Sequence, residues 1–242
     1  MNTYFCVVGA TSGTGLLIAQ KLLRCGSSVR VIARHPAKAR LLLSDRIDIR
    51  YGDVTDARSI REAIAGDCRA IFFTVAATGG IDGRGLFSSQ SAIREVTLQG
   101  LVNLVDSARS GDFNGRILLP SLAGLGQPSF MISILDKMKP GLQRNLVERE
   151  IHLRASGLDY TIVRAPILTN LPGGLSEIHV AKSIGKLTSK SKISRGDFAR
   201  VMILASEQAV ASRKSFELFS VRGDSPSDQQ LLEELHQIPP TG

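Results

Sequence analysis

Tryptophan is absent from the 242 residues, and tyrosine and cysteine occur three times each. With so few aromatics, and none interleaved with basic residues, the chain lacks the stacking surface of a nucleic-acid binder. Cys6, Cys25 and Cys68 lie far apart and in no metal spacing, which reads as reduced thiols of a cytoplasmic protein. His35, His152, His179 and His236 form no H-x-x-x-H pattern, so no metal is expected. No apolar run reaches the ~20 residues of a membrane span. The N-terminus enters an apolar strand at once and carries no signal-peptide pattern. Acidic residues are in deficit, 22 against 30 Lys and Arg, giving a net charge of +8. That balance favours a phosphorylated cofactor or an acidic small molecule as partner. The bases are spread along the chain, so nucleic acid is not expected as the main partner. Hydrophobic residues make up 43% of the chain, enough for a core, and the length suits one large α/β domain. The reading is one domain over residues 1–222, with substrate-side elements from about 165. Residues 223–242 read as a polar C-terminal tail that frays around one short helix.

What is present begins at residue 4. The apolar run 4–8 reads as a buried strand, residues 16–23 read as a helix, and Gly9-Ala10-Thr11-Ser12-Gly13-Thr14-Gly15 joins them. Strand, glycine turn and helix open a dinucleotide-binding βαβ unit. The glycines let the backbone approach a pyrophosphate, and the helix N-terminus offers it free N–H groups. The spacing reads as G-x-x-G-x-x-G with Ser12 replacing the middle glycine, or as G-x-x-x-G-x-G through Gly9, Gly13 and Gly15. A plain turn that binds nothing is the competing reading.

Residues 28–33 form a second strand, and its end lacks an acid: none occurs between Val29 and Arg40. An acid there would bind the ribose 2′-hydroxyl of NAD. Arg34 and Lys38 stand in its place. Arg34 can fork onto a 2′-phosphate, and Lys38 points back at it if Pro36 opens a helix. The alternative is two solvated surface bases. NADP is favoured over NAD.

Residues 47–51 form a third strand, after which Asp53 can accept from an adenine amino group and Asp56 caps a helix over 57–64. The run 70–75 has the continuous apolar character of a central parallel strand. It opens into Ala76 and Ala77, small enough for a cofactor to lie against. Four glycines among residues 78–85 then suggest a mobile loop over the site. Residues 91–109 have helical periodicity, with Ile93, Val96, Leu101, Leu104, Val105 and Ala108 on one face. The fifth strand is 116–121, and Ser121 emerges at its C-terminal edge. Residues 122–141 are apolar and irregular, either a folded-over loop with a core helix or the wall of an apolar pocket. A helix over 142–156 stops at Gly157, and the sixth strand is 160–164. Residues 178–195 hold five Lys and Arg and no acid. A helix over 198–205 and a late strand over 216–220 follow. Alternating strands and helices argue for a doubly wound, Rossmann-type parallel α/β sheet with ligand at the strand C-termini.

Five ordered motifs carry a resemblance: the 9–15 loop, Val31-Ile32-Ala33-Arg34, Gly52-Asp53-Val54, the segment 153–164, and Ile193-Ser194-Arg195-Gly196-Asp197. Over about residues 3–220 the chain resembles the atypical short-chain dehydrogenase/reductases with an NmrA-like NAD(P)-binding domain. Within that group it looks most like the flavin reductase/biliverdin-IXβ reductase branch. The resemblance implies NADP(H) and hydride transfer to a small planar or carbonyl acceptor, such as a flavin, quinone or conjugated ketone. It implies cofactor roles for Gly9, Thr11, Ser12, Gly13, Thr14, Gly15, Arg34, Lys38, Asp53, Val54, Val75, Ala76, Ala77, Pro120 and Ser121. It also places Ala165, Pro166, Ile167 and Leu168 at the nicotinamide amide. One pair is missing. Tyr4, Tyr51 and Tyr160 are followed four residues later by Val8, Thr55 and Arg164, so there is no Tyr-x-x-x-Lys proton donor. Tyr160 reads as core packing. Ser121 is left to donate to a substrate oxygen or merely to hold the cofactor, with water as proton source. A non-catalytic NADP(H)-sensing regulator is the alternative function.

Overall fold

Tyr4–Val8 forms β1, buried along its whole length, and the glycine loop then opens helix α1, Gly13–Arg24. The computed structural model describes residues 3–43, 47–75, 90–127 and 129–241. Next come β2 (Val29–Ala33), α2 (Pro36–Leu42), β3 (Asp48–Tyr51), α3 (Ala57–Ile64) and β4 (Cys68–Phe73). Helix α4 (Gln90–Arg94), a π-helical turn (Glu95–Gln99) and α5 (Gly100–Ser110) follow one another directly. After them come β5 (Arg116–Leu122), α6 (Phe130–Met138), α7 (Leu142–Ala155) and β6 (Asp159–Ala165). The C-terminal part adds β7 (Ile167–Thr169), β8 (Glu177–Ala181), β9 (Lys192–Ser194), α8 (Arg195–Glu207), β10 (Lys214–Val221) and α9 (Asp228–His236).

The main sheet has the order β3-β2-β1-β4-β5-β6-β10-β8. Every pairing is parallel except β10 with β8. This is the expected doubly wound α/β sheet, with one antiparallel strand added at an edge. Strand alternation sorts side chains onto its two faces. Phe5, Val7, Phe72 and Leu118 pack with Ile18 of α1 and Phe198 of α8. Cys6, Val8, Ile71, Phe73, Ile117 and Leu119 pack on the other face with Leu101 and Leu104 of α5 and Leu153 of α7. Tyr160 belongs to this second core and is fully buried, as its reading as core packing expects.

Several boundaries move. β4 ends at Phe73, two residues before the expected strand end, although the Thr74 N–H still bonds to the Val8 carbonyl of β1 at 3.0 Å. The apolar stretch 122–141 contains α6, which buries Ile132 to 3% and leaves Phe130 80% exposed. Residues 165–168 are not a turn. The chain passes at Pro166 from β6 into β7, which pairs in parallel with β9 in a second, two-stranded sheet.

The expected fraying tail is a docked helix. Ser227 and Gln230 close a capping box at the start of α9, and Leu231, Leu235 and Ile238 are buried in the core. Glu234 accepts from the Val180 N–H at 2.6 Å and lies 2.7 Å from His179 Nδ1. Lys214 donates to the Leu235 carbonyl at 2.8 Å, and the Tyr160 hydroxyl donates to the Thr241 carbonyl. Three apolar residues at helical spacing fix a segment whose average composition is polar.

Candidate active site

The glycine loop sits where β1 ends and α1 begins. Gly9 has φ +92°, and a Cβ there would lie 3.2 Å from the Val75 backbone nitrogen. Gly15 packs α1 onto the sheet; its Cβ would come within 2.5 Å of the Gly9 carbonyl. Thr74 Oγ1 donates to the Val8 carbonyl at 2.8 Å and fixes this crossing. Gly13 has φ +56° and open space where a Cβ would project. Ser12, in place of a glycine, has φ −169°, an extended conformation that any residue adopts. The Ser12 side chain makes no capping bond, and the first turn of α1 has no acid. The positive helix end and its N–H groups therefore face outward uncompensated, and a pyrophosphate fits that cradle. Thr11 and Thr14 flank it, both half-buried.

Arg34 is exposed just beyond β2, and Pro36 opens α2, placing the half-buried Lys38 in its first turn. The two bases thus share one corner of the sheet's C-terminal edge. Asp53 uses Oδ1 in a turn, accepting from the Thr55 N–H at 2.9 Å and its hydroxyl at 2.8 Å. Oδ2 makes no bond among the described residues. Val54 is buried beneath Gly100, and its carbonyl accepts from Asn103 Nδ2 at 2.8 Å. Asp56 caps α3 through the Arg58 N–H. Val75 lies against Gly9, whereas Ala76, Ala77 and the glycine-rich loop fall outside the described residues.

At the end of β5, Pro120 and Ser121 pair with Val163 and Arg164 of β6. Pairing with β4 has already stopped at Leu118, so Pro120 costs no ladder bond on that side. Ser121 Oγ is buried and makes no hydrogen bond of ordinary geometry among the described residues. It lies beside the Glu150 carboxylate and contributes to holding it ionised. Ala165 closes β6, and its carbonyl accepts from the Ala123 N–H at 2.8 Å. Ile167 N–H bonds to the Ser191 carbonyl at 3.0 Å, and Leu168 follows in β7.

Below Ser121 lies a buried charge network that sequence reasoning missed. Glu150 of α7 accepts from Arg164 Nε at 3.0 Å and from Arg154 Nη2 at 2.6 Å. Burial pushes the Glu150 carboxyl up, but the Arg164 bonds and charge, with Ser121 and Arg154, outweigh it. It therefore titrates below the usual carboxylate range. Glu217 of β10 accepts from the Gly124 N–H at 3.0 Å and the Ile184 N–H at 2.8 Å. Arg164 stands between the two acids, 3.6 Å from Glu217. An acid inside the apolar run Phe216-Glu217-Leu218-Phe219 was the available signal.

The NAD(P)H-binding family model matches residues 9–208. The chain belongs to that family. An uncharacterised chloroplast protein of Arabidopsis thaliana is 30% identical over 234 residues, 91% of this chain and 77% of the relative. The sanguinarine reductase of Eschscholzia californica is 28% identical over 246 residues, covering 88% of this chain and 87% of the enzyme. Among solved structures, a short-chain dehydrogenase/reductase of Veillonella parvula in complex with NADP superposes with a TM-score of 0.71. It shares 16% identity, over 94% of this chain and all of that one, and so shows a common fold. The protein is thus an NAD(P)H-binding member of an oxidoreductase family, and the glycine-loop geometry fits that cofactor.

Proposed function

We propose that the protein is an NADPH-dependent reductase of a small planar or carbonyl acceptor: a flavin, a quinone or a conjugated ketone. Gly9, Thr11, Ser12, Gly13, Thr14 and Gly15 hold the pyrophosphate, and Arg34 with Lys38 selects the 2′-phosphate. Asp53 and Val54 meet the adenine. Val75, Ala76, Ala77, Pro120 and residues 165–168 frame the nicotinamide. Bound NADPH supplies a hydride. Ser121 donates its hydroxyl to the acceptor oxygen and orients it, and water supplies the proton. The observation that carries this reading is Ser121 Oγ, buried at the C-terminal end of a central strand with no hydrogen bond of ordinary geometry among the described residues and only the Glu150 carboxylate beside it. Buried polar atoms are nearly always paired, and an unpaired one at this edge suits a ligand. The name of the sanguinarine reductase adds support for a reductase. NADPH oxidation with a panel of flavins, quinones and conjugated ketones tests it, beside titration with NADP+ and NADPH.

One observation favours a second reading, the NADP(H) sensor. Tyr4 donates to the Ile64 carbonyl at 2.9 Å and Tyr160 to Thr241, so both hydroxyls are engaged away from Ser121. Tyr51 ends an edge strand, four strands from β5 in the sheet order. Binding of both cofactor forms without turnover of any acceptor would establish the sensor.

A further inference from the structure

Helix α7 carries buried polar groups that have no hydrogen-bond partner among the described residues. Asn145 is 2% exposed; its Oδ1 accepts from Arg94 Nη1 at 3.2 Å, yet its Nδ2 has no partner among the described residues. Arg149, one turn later and 4% exposed, has no partner for Nε among the described residues. Burying a guanidinium costs several kcal/mol unless a counter-charge and hydrogen bonds offset it. Glu150 is adjacent in sequence, but Arg164 and Arg154 already occupy its carboxylate. Burial pushes Arg149 down to about 10, with Glu150 opposing, so it is still a cation at neutral pH. The guanidinium carbon lies 5.7 Å from the centroid of the Phe73 ring, a contact contributing only about 0.5–2 kcal/mol.

The position of these groups is informative. Phe73 is the last residue of β4, immediately before Thr74 and Val75 at the glycine loop. Ser121, at the end of the neighbouring β5, lies beside Glu150, the residue after Arg149. Arg94, which holds Asn145, immediately precedes the π-helical turn, and such turns recur at functional sites. Asn145 and Arg149 thus bring hydrogen-bonding capacity unused among the described residues, and one positive charge without an ion pair there, to the ends of β4 and β5.

From this grouping we infer that Arg149, assisted by Asn145, forms an anion subsite that receives the carboxylate of an acidic acceptor. A carboxylate offers the planar pair of oxygens that a guanidinium fork and an amide N–H can share. The identity of the acid as an acceptor rests on the reductase reading; the anion subsite itself does not. Its neutral competitor is a carbonyl or amide of the same shape, which brings no counter-charge to Arg149.

The test uses the whole chain, with and without NADP+, titrated with benzoate and with its neutral isostere benzamide. Benzoate should bind at least about tenfold more tightly than benzamide, corresponding to about 1.4 kcal/mol. Arg149→Met should abolish that difference and leave NADP+ affinity unchanged. It should also melt no lower than the parent protein without ligand, since it removes an unsatisfied buried charge. Equal binding of the two probes, or binding of neither, overturns the subsite. A large fall in melting temperature in Arg149→Met also overturns it, because Arg149 is then a structural ion-pair partner. Benzoate selectivity without reduction of any acceptor would refute the reductase reading alone. Turnover without charge selectivity would refute the subsite alone.

Discussion

Arg164 and Glu150 form a two-pronged ion pair inside the protein, with Nε–Oε1 at 3.0 Å and Nη2–Oε2 at 2.5 Å. Glu150 is only 3% exposed, so its charge depends on these bonds. Breaking a buried pair by removing one partner costs about 3–5 kcal/mol. Glu150→Gln should therefore lower stability at neutral pH by about 3 kcal/mol. The pH dependence has a definite sign. The folded carboxyl titrates below the unfolded one, so the stabilisation is complete above about pH 4.3 and is lost as pH falls through the folded value. Denaturant melts of both proteins across that acid range measure it. The gap between them should close on acidification; a gap independent of pH would refute the assignment.

Cofactor choice rests on Arg34 and Lys38. Charge-assisted hydrogen bonds contribute about 1.5–3 kcal/mol each when well formed. NADPH should bind more tightly than NADH, and Arg34→Glu should weaken NADPH by about 10- to 100-fold or reverse the preference. Fluorescence titration with both dinucleotides decides this. Equal affinities in the unmodified protein would sink it.

The two inner glycines should fail differently. At Gly13 a Cβ meets open space, and the left-handed backbone adds about 1–2 kcal/mol of strain. Gly13→Val should fold and lose cofactor affinity, because its side chain projects over the phosphate cradle. At Gly15 a Cβ meets the Gly9 carbonyl backbone, so Gly15→Val should loosen α1 as well. Circular dichroism melts with parallel NADPH titration separate the two effects. A folded Gly13→Val with full affinity would move the cofactor elsewhere.

The parts of this protein that were legible in the sequence are those written locally. β1, β2, β4, β5 and β6 are near-continuous apolar runs because both faces of a parallel sheet are covered. The glycine loop, the Pro36 helix start and the Asp56 cap are likewise set by neighbours in sequence. Glu150 and Arg149 were not legible, since a charged residue on a helix normally reads as solvated, and Glu217 of β10 was marked only by its place in an apolar run. Their burial comes from strands far away in sequence: Arg164 reaches Glu217 across 53 positions, and Glu217 reaches Gly124 across 93. β7 and β9 escaped for another reason, being three residues each and defined only by pairing with one another.

Ser121 carries the prediction with the most at stake for the chemistry. Its hydroxyl is buried, makes no ordinary hydrogen bond among the described residues, and lies at the end of a strand beside β4, which leads into the glycine loop's neighbour Val75. If it orients an acceptor oxygen through one neutral hydrogen bond, Ser121→Ala should slow hydride transfer about tenfold, corresponding to about 1.4 kcal/mol. An essential acid would instead cost about 100-fold or more and make the rate strongly pH-dependent. A serine hydroxyl is a weak acid, and the network beneath it holds a carboxylate rather than a lysine, so the smaller effect is expected. Single-turnover reduction at several pH values, with NADPH affinity measured separately, distinguishes the outcomes. Affinity and melting temperature should both stay near those of the parent, because the hydroxyl's one contact, with the Glu150 carboxylate, is not of ordinary hydrogen-bond geometry and Arg164 and Arg154 hold that carboxylate without it. An unchanged rate would reduce Ser121 to a packing residue and remove the chemical basis of the reductase reading, leaving the cofactor site to a sensor.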